Sequence, residues 1–404
     1  MAFNPIPVVM SDLRRQRAVT LATVLLVAIA VAIGIVVISQ ERALRQGSAR
    51  AADDFDLLIG APGSQTQLLL TAVYLKLHAL PLLDGAVLAR AAQTQGVVYA
   101  APIAFGDQWQ GHPIVGTIAA FVDRGGTLKA TEGRLFARRG EAVIGAGVDL
   151  AVGSAIRPSH GIGHAEDAPE HDTVRYTVVG RLPARHNIWD QAILVPVEDV
   201  WATHGLASGH RDREAIGPPW TDSVLPGVPA IAVKPRSVAD AYRLRSQFRS
   251  GASTALFPAE ELNDLYTTLG DIRDLLLVLA LACQALVVVA VLVVLVVGLF
   301  ARRRPFAVLR AIGAGRNYIF AVVWLEVAIL TTAGVLVGTL VGYGLSTLLS
   351  IWLAGRTGFV MPVSFAGEEM ALLCGLIATG LLAAVLPAAL TFRQSVAQGL
   401  RGAP

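Results

Sequence analysis

The stretch Arg302-Arg303-Arg304-Pro305-Phe306-Ala307-Val308-Leu309-Arg310-Ala311-Ile312-Gly313-Ala314-Gly315-Arg316 is short, strongly basic and pinned between two long apolar runs. On one side, Leu275 to Phe300 is almost wholly apolar, with Gln284 its clearly polar residue; on the other, Tyr318 to Ala354 is apolar and interrupted by Glu326. Each run exceeds the roughly 20 residues that a helix needs to cross a bilayer. A loop with this much positive charge between two spans stays on the cytoplasmic side. Pro305 suits a first helical position, Phe306, Leu309 and Ile312 recur on one face, and Gly313 and Gly315 stop the turn. The pattern predicts a short amphipathic helix at the inner face, with Phe306 and Leu309 as apolar anchors for a partner.

Composition agrees with a membrane protein. Of 404 residues, 54% are hydrophobic and only 16% charged, too apolar for an ordinary soluble chain. The net charge of +3 is small and unevenly spread, so it speaks for membrane orientation and against nucleic-acid binding. Cys283 and Cys374 are the only cysteines and both fall in apolar runs, which excludes a disulfide framework in any soluble part.

In chain order, residues 1–17 are basic and expected inside, and 18–38 form a first span too long for a signal peptide. Residues 39–270 have soluble composition and are expected outside as an α/β domain. Its predicted strands are Asp53 to Ser64, ending in a Gly/Pro turn, Val97 to Phe105, Ile114 to Val122, Ala142 to Ile144, Val174 to Val179, Ala192 to Val197 and Ala230 to Val233. Helices are predicted from Gln67 towards Leu77, after a Ser237 cap, and from Pro258 into the second span at 271–301, which ties the outer domain to the membrane. The loop at 302–317, a third span at 318–354, an outer loop at 355–369, a fourth span at 370–391 broken by Pro387, and an inner C-terminus at 392–404 complete a four-helix, one-plus-three arrangement. In the third span, Gly334, Gly338 and Gly342 recur every four residues, the spacing that lets a second helix approach closely.

The letters of the basic loop carry more than topology. Arg302 to Arg304, Leu309, Arg310, Ala311, Gly313, Ala314 and Arg316 resemble the signature of the FtsX-like permease family, the membrane subunits of ABC systems that include macrolide exporters and lipoprotein-releasing complexes. Pro305 stands where that family commonly has an acid. Residues 271–401 are similar to the family's permease domain, ending on Leu386-Pro387-Ala388 and Leu400-Arg401. Residues 39–270 resemble its MacB-like periplasmic core domain through Asp56 to Ser64, Glu132 to Phe136 with Glu141 to Gly145, and Tyr176 to Gly180. The resemblance implies a multi-pass cell inner membrane protein with both termini cytoplasmic. It also implies a dimer with a second copy or a paralogue, a separate cytoplasmic ATPase, and an extracytoplasmic adaptor or cargo such as a lipoprotein, peptide, macrolide or haem. The family's cell-division member offers another expectation, a regulatory scaffold that controls an extracytoplasmic hydrolase without transport.

The chain has no Gly-x-x-x-x-Gly-Lys-Ser/Thr loop, so ATP and Mg²⁺ are expected on the partner and no cofactor on this chain. Neither a Ser nucleophile elbow nor a His-Glu-x-x-His helix occurs, and no enzymatic activity is expected. The coupling loop, with Arg304, Phe306, Leu309, Arg310, Gly313 and Arg316, is the expected docking element for the ATPase. Glu326 is the one acid deep in an apolar run; a structural role leads over proton or substrate coupling. His160, His164 and His171, among Gly, Pro and carboxylates, read first as a solvated loop and second as a metal or haem contact.

Overall fold

The computed structural model describes residues 4–76, 79–160, 174–220, 224–249, 251–301, 303–357 and 361–385. They gather into two compact units, one of helices and one built on a sheet.

In chain order, α1 (Ile6–Arg15) and α2 (Arg17–Ala52) come first; α2 passes from the helical unit into the sheet unit near Leu44. The sheet unit then holds β1 (Leu57–Gly60), α3 (Gln65–Ala72), α4 (Gly85–Gln93), β2 (Val97–Trp109), β3 (His112–Thr117), α5 (Ala119–Val122), β4 (Glu132–Gly133), β5 (Glu141–Ile144), β6 (Ala155–Ile156) and β7 (Ser159–His160). After these come β8 (Tyr176–Arg181), β9 (Ile193–Pro196), α6 (Val197–Thr203), β10 (Ala230–Pro235), α7 (Val238–Phe248) and β11 (Thr254–Leu256). Finally α8 (Pro258–Ala301), α9 (Arg303–Ala311), α10 (Arg316–Thr357) and α11 (Gly367–Ala383) return to the helical unit.

The strands form one mixed sheet in the order β11-β1-β10-β2-β3-β9-β5-β8-β4, with β6 against β8 and β7 against β2. Strand residues alternate between two faces, and here both faces are covered. Leu57 and Ile59 enter one core while Leu58 enters the other, and Ile193 and Val195 are likewise separated from Leu194. Leu68, Leu69 and Ala72 of α3 and Phe121 and Val122 of α5 cover one face; Leu88 of α4, Trp201 of α6 and Leu244 and Phe248 of α7 cover the other. This explains why β1, β5, β9 and β10 read as apolar runs without polar alternation.

Several expected boundaries change. The strand expected to continue from Ile114 to Val122 ends at Thr117, and Ala119–Val122 is helical. Val197 starts α6 instead of ending a strand, because Glu198 and Asp199 in the next positions suit the positive end of a helix. Ser237 does cap α7, accepting from the Asp240 N–H at 3.1 Å. Short elements such as α4 and β11 were not predicted.

In the helical unit two helices among the described residues, Arg17–Ala52 and Arg316–Gly355, are long and apolar enough to cross a membrane, and Glu369–Leu382 is a shorter apolar helix. α2 lies at the centre of the packing. Gly334, Gly338 and Gly342 of α10 meet Val27, Ala28 and Ala32 of α2, so closely that a Cβ on Gly334 would stand 2.5 Å from that of Val27. Gly34 of α2 faces Gln284 of α8 and Leu372 of α11. At one end of the unit, Arg42 pairs with the fully buried Glu369 and donates to the Ser364 carbonyl at 2.9 Å, while Gln40 and Ser39 of α2 bond to Ser346 of α10.

Candidate functional site

The basic loop folds as α9, nine residues from Arg303 to Ala311. Pro305 is exposed near the described start of α9. At the other end Gly313 has φ +102°, a left-handed conformation that a β-carbon disfavours. The N–H of Ala314 donates to Leu309 O at 3.0 Å and that of Gly313 to Arg310 O at 3.1 Å, so the last carbonyls of α9 are satisfied before α10 starts at Arg316.

The apolar face expected to protrude is turned inward. Phe306 is 6% exposed and forms a small core with Ile319 and Val323 of α10, against which Leu309, Tyr318 and Phe320 also pack. Phe306 therefore fixes α9 on the chain's own third apolar run and is not available as an anchor. Ile312, expected on the same face, is 73% exposed, and Val308 is 51% exposed one turn earlier. These two residues, four apart on one edge, form the apolar surface that α9 offers outward. Arg310 is half-buried, Arg316 is exposed at the start of α10, and Arg304 lies within α9. The sequence signal for this inversion was available in the aromatic-rich start of α10, which gives Phe306 a local partner.

The other residues singled out earlier are dispersed. Glu326 is buried in α10, one turn past Val323. His160 pairs through its backbone with Asp107 of β2, while His164 and His171 lie outside the described residues. Among the described residues no group of three or more His, Cys, Asp or Glu could hold a metal ion.

The sheet unit holds an ordered polar knot that the sequence did not suggest. Glu198, fully buried in the first turn of α6, accepts at Oε1 from the Gly217 N–H at 2.8 Å and the Trp220 indole N–H at 3.0 Å, with His210 Nε2 at 3.4 Å. Burial pushes its carboxyl above the usual range, and these donors act in the opposite direction. Next to it, Asp199 accepts from Arg139 Nε and the Gly140 N–H, both at 2.7 Å. The two carboxylates pin the irregular segment 204–220 onto α6.

Residues 277–399 match the family model described as FtsX-like permease C-terminal, and residues 19–250 match the MacB-like periplasmic core domain. The chain belongs to this permease family. Permeases of the MacB/FtsX type are membrane-embedded and work with ATPase subunits. Among solved structures, the periplasmic region of MacB from Actinobacillus actinomycetemcomitans is similar at 10% identity and TM-score 0.34, covering 53% of this chain and 95% of that one. The extracellular domain of the noncanonic ABC-type transporter YknZ from Gram-positive bacteria is similar at 12% identity and TM-score 0.29, covering 50% and 98%. No curated protein matches the chain by sequence. Within the permease, α9 lies between α8 and α10, in the stretch matched by the C-terminal family model.

Proposed function

We propose that the chain is the membrane subunit of an ABC transporter that passes ATP hydrolysis in a separate cytoplasmic subunit to the extracytoplasmic sheet unit, moving an amphipathic cargo. In this reading α2, α8, α10 and α11 are four inner-membrane spans in a one-plus-three order, with both termini and α9 cytoplasmic. ATP and Mg²⁺ reside on the ATPase, and the permease pairs with a second copy or a paralogue. The observation that carries the reading is the shape of α9. A short helix is held rigid by the Phe306 core and the Gly313 turn, and it presents Val308 and Ile312 beside Arg310 and Arg316. Apolar anchors ringed by charge are the form that dominates docking energetics, and a helix fixed on α10 passes a push into that helix without first deforming.

The experiment is purification of the permease with the ATPase it retains. Ile312→Asp places a charge in the proposed contact and should remove the ATPase while leaving membrane insertion intact, because the topology-setting arginines remain. Undiminished co-purification and hydrolysis in this variant would leave α9 a topology signal only.

A further inference from the structure

The sheet unit carries an open groove of about 780 Å³ at the end of β1, β10 and β11. Its apolar lining is Ala52, Phe55, Ala241 and Phe257, bordered by Val238 and Tyr242, which are 75% and 56% exposed one turn apart on α7. Carboxylates come from the α2–β1 connection, Asp53 and Asp56, and from Glu260 in the first turn of α8; cations come from Lys234 near the end of β10 and Arg236 on the β10–α7 connection.

These charges are not all spent on each other. Arg245 pairs with Glu260 and lies 4.4 Å over the Phe257 ring, which neutralises that carboxylate. Lys234 meets Asp56 at 2.8 Å, with both side chains about two-fifths exposed, so solvent screens the pair and it opens readily. Among the described residues neither Asp53 nor Arg236 has an ion-pair partner. The groove thus offers the Asp53 carboxylate and the Arg236 guanidinium outside any ion pair among the described residues, the latter within electrostatic reach of Asp240, a pair that opens readily, and an apolar floor.

We infer that this groove binds a short peptide with apolar side chains and free ends, its ammonium on Asp53 and its carboxylate on Arg236. The volume suits a ligand of a few residues, within the roughly 300–1,000 Å³ typical of small-ligand sites. The few apolar side chains of the floor could not cover acyl chains, and a bare head group would leave uncovered the apolar surface that Tyr242 and Phe257, packed edge to face on each other, turn to the groove. Ala52 ends α2 and Glu260 starts α8, so a ligand in the groove touches both helices that lead out of this unit. The inference deepens the transport reading and rests on it only in regarding the peptide as cargo.

The test is calorimetric titration of the full-length permease, purified without ATPase, with the tetrapeptide alanyl-leucyl-phenylalanyl-alanine. Saturable binding is expected, weakened about tenfold by N-acetylation or by Asp53→Asn, and similarly by C-amidation or Arg236→Gln. Each variant should lose nothing further when the matching end of the peptide is already capped. Absence of saturable binding, or binding indifferent to capping and to both variants, overturns the inference. Equal competition by glycerophosphoethanolamine, which carries both charges and no side chains, overturns it in favour of a head-group site. Retained ATPase association with no peptide binding would remove the groove and leave the permease reading standing; the reverse result would do the opposite.

Discussion

Gly338 of α10 lies so close to Ala28 of α2 that a β-carbon at position 338 would stand 2.6 Å from the Ala28 carbonyl oxygen. Without a hydrophobic effect between helices in lipid, such close backbone approach is a main source of packing energy. Gly338→Val should therefore force the helices apart and cost about 1–3 kcal/mol, read as a lower melting temperature in detergent. Gly344→Val, on the same helix but with nothing within 4 Å of its would-be β-carbon, should change the melting temperature little. Equal effects of the two variants would mean that the glycine face is not a packing surface.

This contact was legible in the sequence as a four-residue glycine repeat, because the spacing on a helix fixes which residues share a face. The partner was not, since nothing in Gly334, Gly338 and Gly342 says which helix fills the space. The same limit applies to α9. The 3.6-residue period put Phe306, Leu309 and Ile312 together, but the Ile312 N–H donates to Val308 O at 3.1 Å and Ile312 shares the exposed edge with Val308, while Phe306 turns to Ile319. The apolar strands were readable; the end of β3 was not, because Ala119 to Val122 are as apolar as a strand and a helix there satisfies the same core. The groove and the Glu198 knot join residues far apart in sequence, and no local pattern announces them.

Arg42 and Glu369 join α2 to α11, with Glu369 fully buried and Arg42 only 12% exposed. Replacing one member leaves the other charge buried without compensation, which costs about 3–5 kcal/mol, whereas the pair as a whole is worth much less. Glu369→Ala should consequently destabilise the detergent-purified protein more than Arg42→Leu combined with Glu369→Leu. A double variant that melts no higher than the single one would show that the pair itself is the main term.

Two carboxylates of the sheet unit should drive stability with pH in opposite directions. Arg134 hydrogen-bonds Glu141 and holds its carboxyl at about 2, below the ordinary 4.5. A depressed value favours the folded state above the ordinary range, and that contribution fades as pH falls from about 4.5 towards 2. Burial raises Glu198, so its contribution is fullest below the ordinary carboxylate range and is lost as pH rises through the raised value. Melting curves of the full chain across acid pH should lose part of their low-pH decline in Glu141→Gln. They should lose part of the decline at higher pH in Glu198→Gln, which keeps an oxygen to accept from Gly217 and Trp220. Superimposable pH profiles for wild type and either variant would count against that site's share.

Glu198→Ala should be far worse than Glu198→Gln. It strips the partner from the Gly217 N–H and the Trp220 indole, two half-buried donors to a fully buried carboxylate, and a donor left unsatisfied there costs up to about 1–3 kcal/mol. Segment 204–220 is also held to α6 by the Leu206 N–H donating to Trp201 O at 2.8 Å, by Trp220 beside Trp201, and through Arg139, which donates to Arg213 O at 3.0 Å and pairs with Asp199. Limited proteolysis should cut between 204 and 220 in Glu198→Ala well before global unfolding, and a melt with no early cleavage would show that the segment is held elsewhere.

The last prediction separates holding α9 from using it. Phe306→Ala deletes the centre of the core with Ile319 and Val323 and should cost about 3–5 kcal/mol if that core behaves like others. The variant should melt lower, and whatever folds should bind less ATPase because α9 has lost its support. Val308→Ser removes an exposed apolar group with little consequence for folding, since a side chain 51% exposed contributes little burial. It should leave the melting temperature near that of the parent while reducing ATPase retention. The measurement is melting and co-purification on the same preparations. If Val308→Ser keeps full retention and Phe306→Ala loses retention with no change in melting, then Phe306 contacts the partner directly and the outward edge of α9 lies elsewhere.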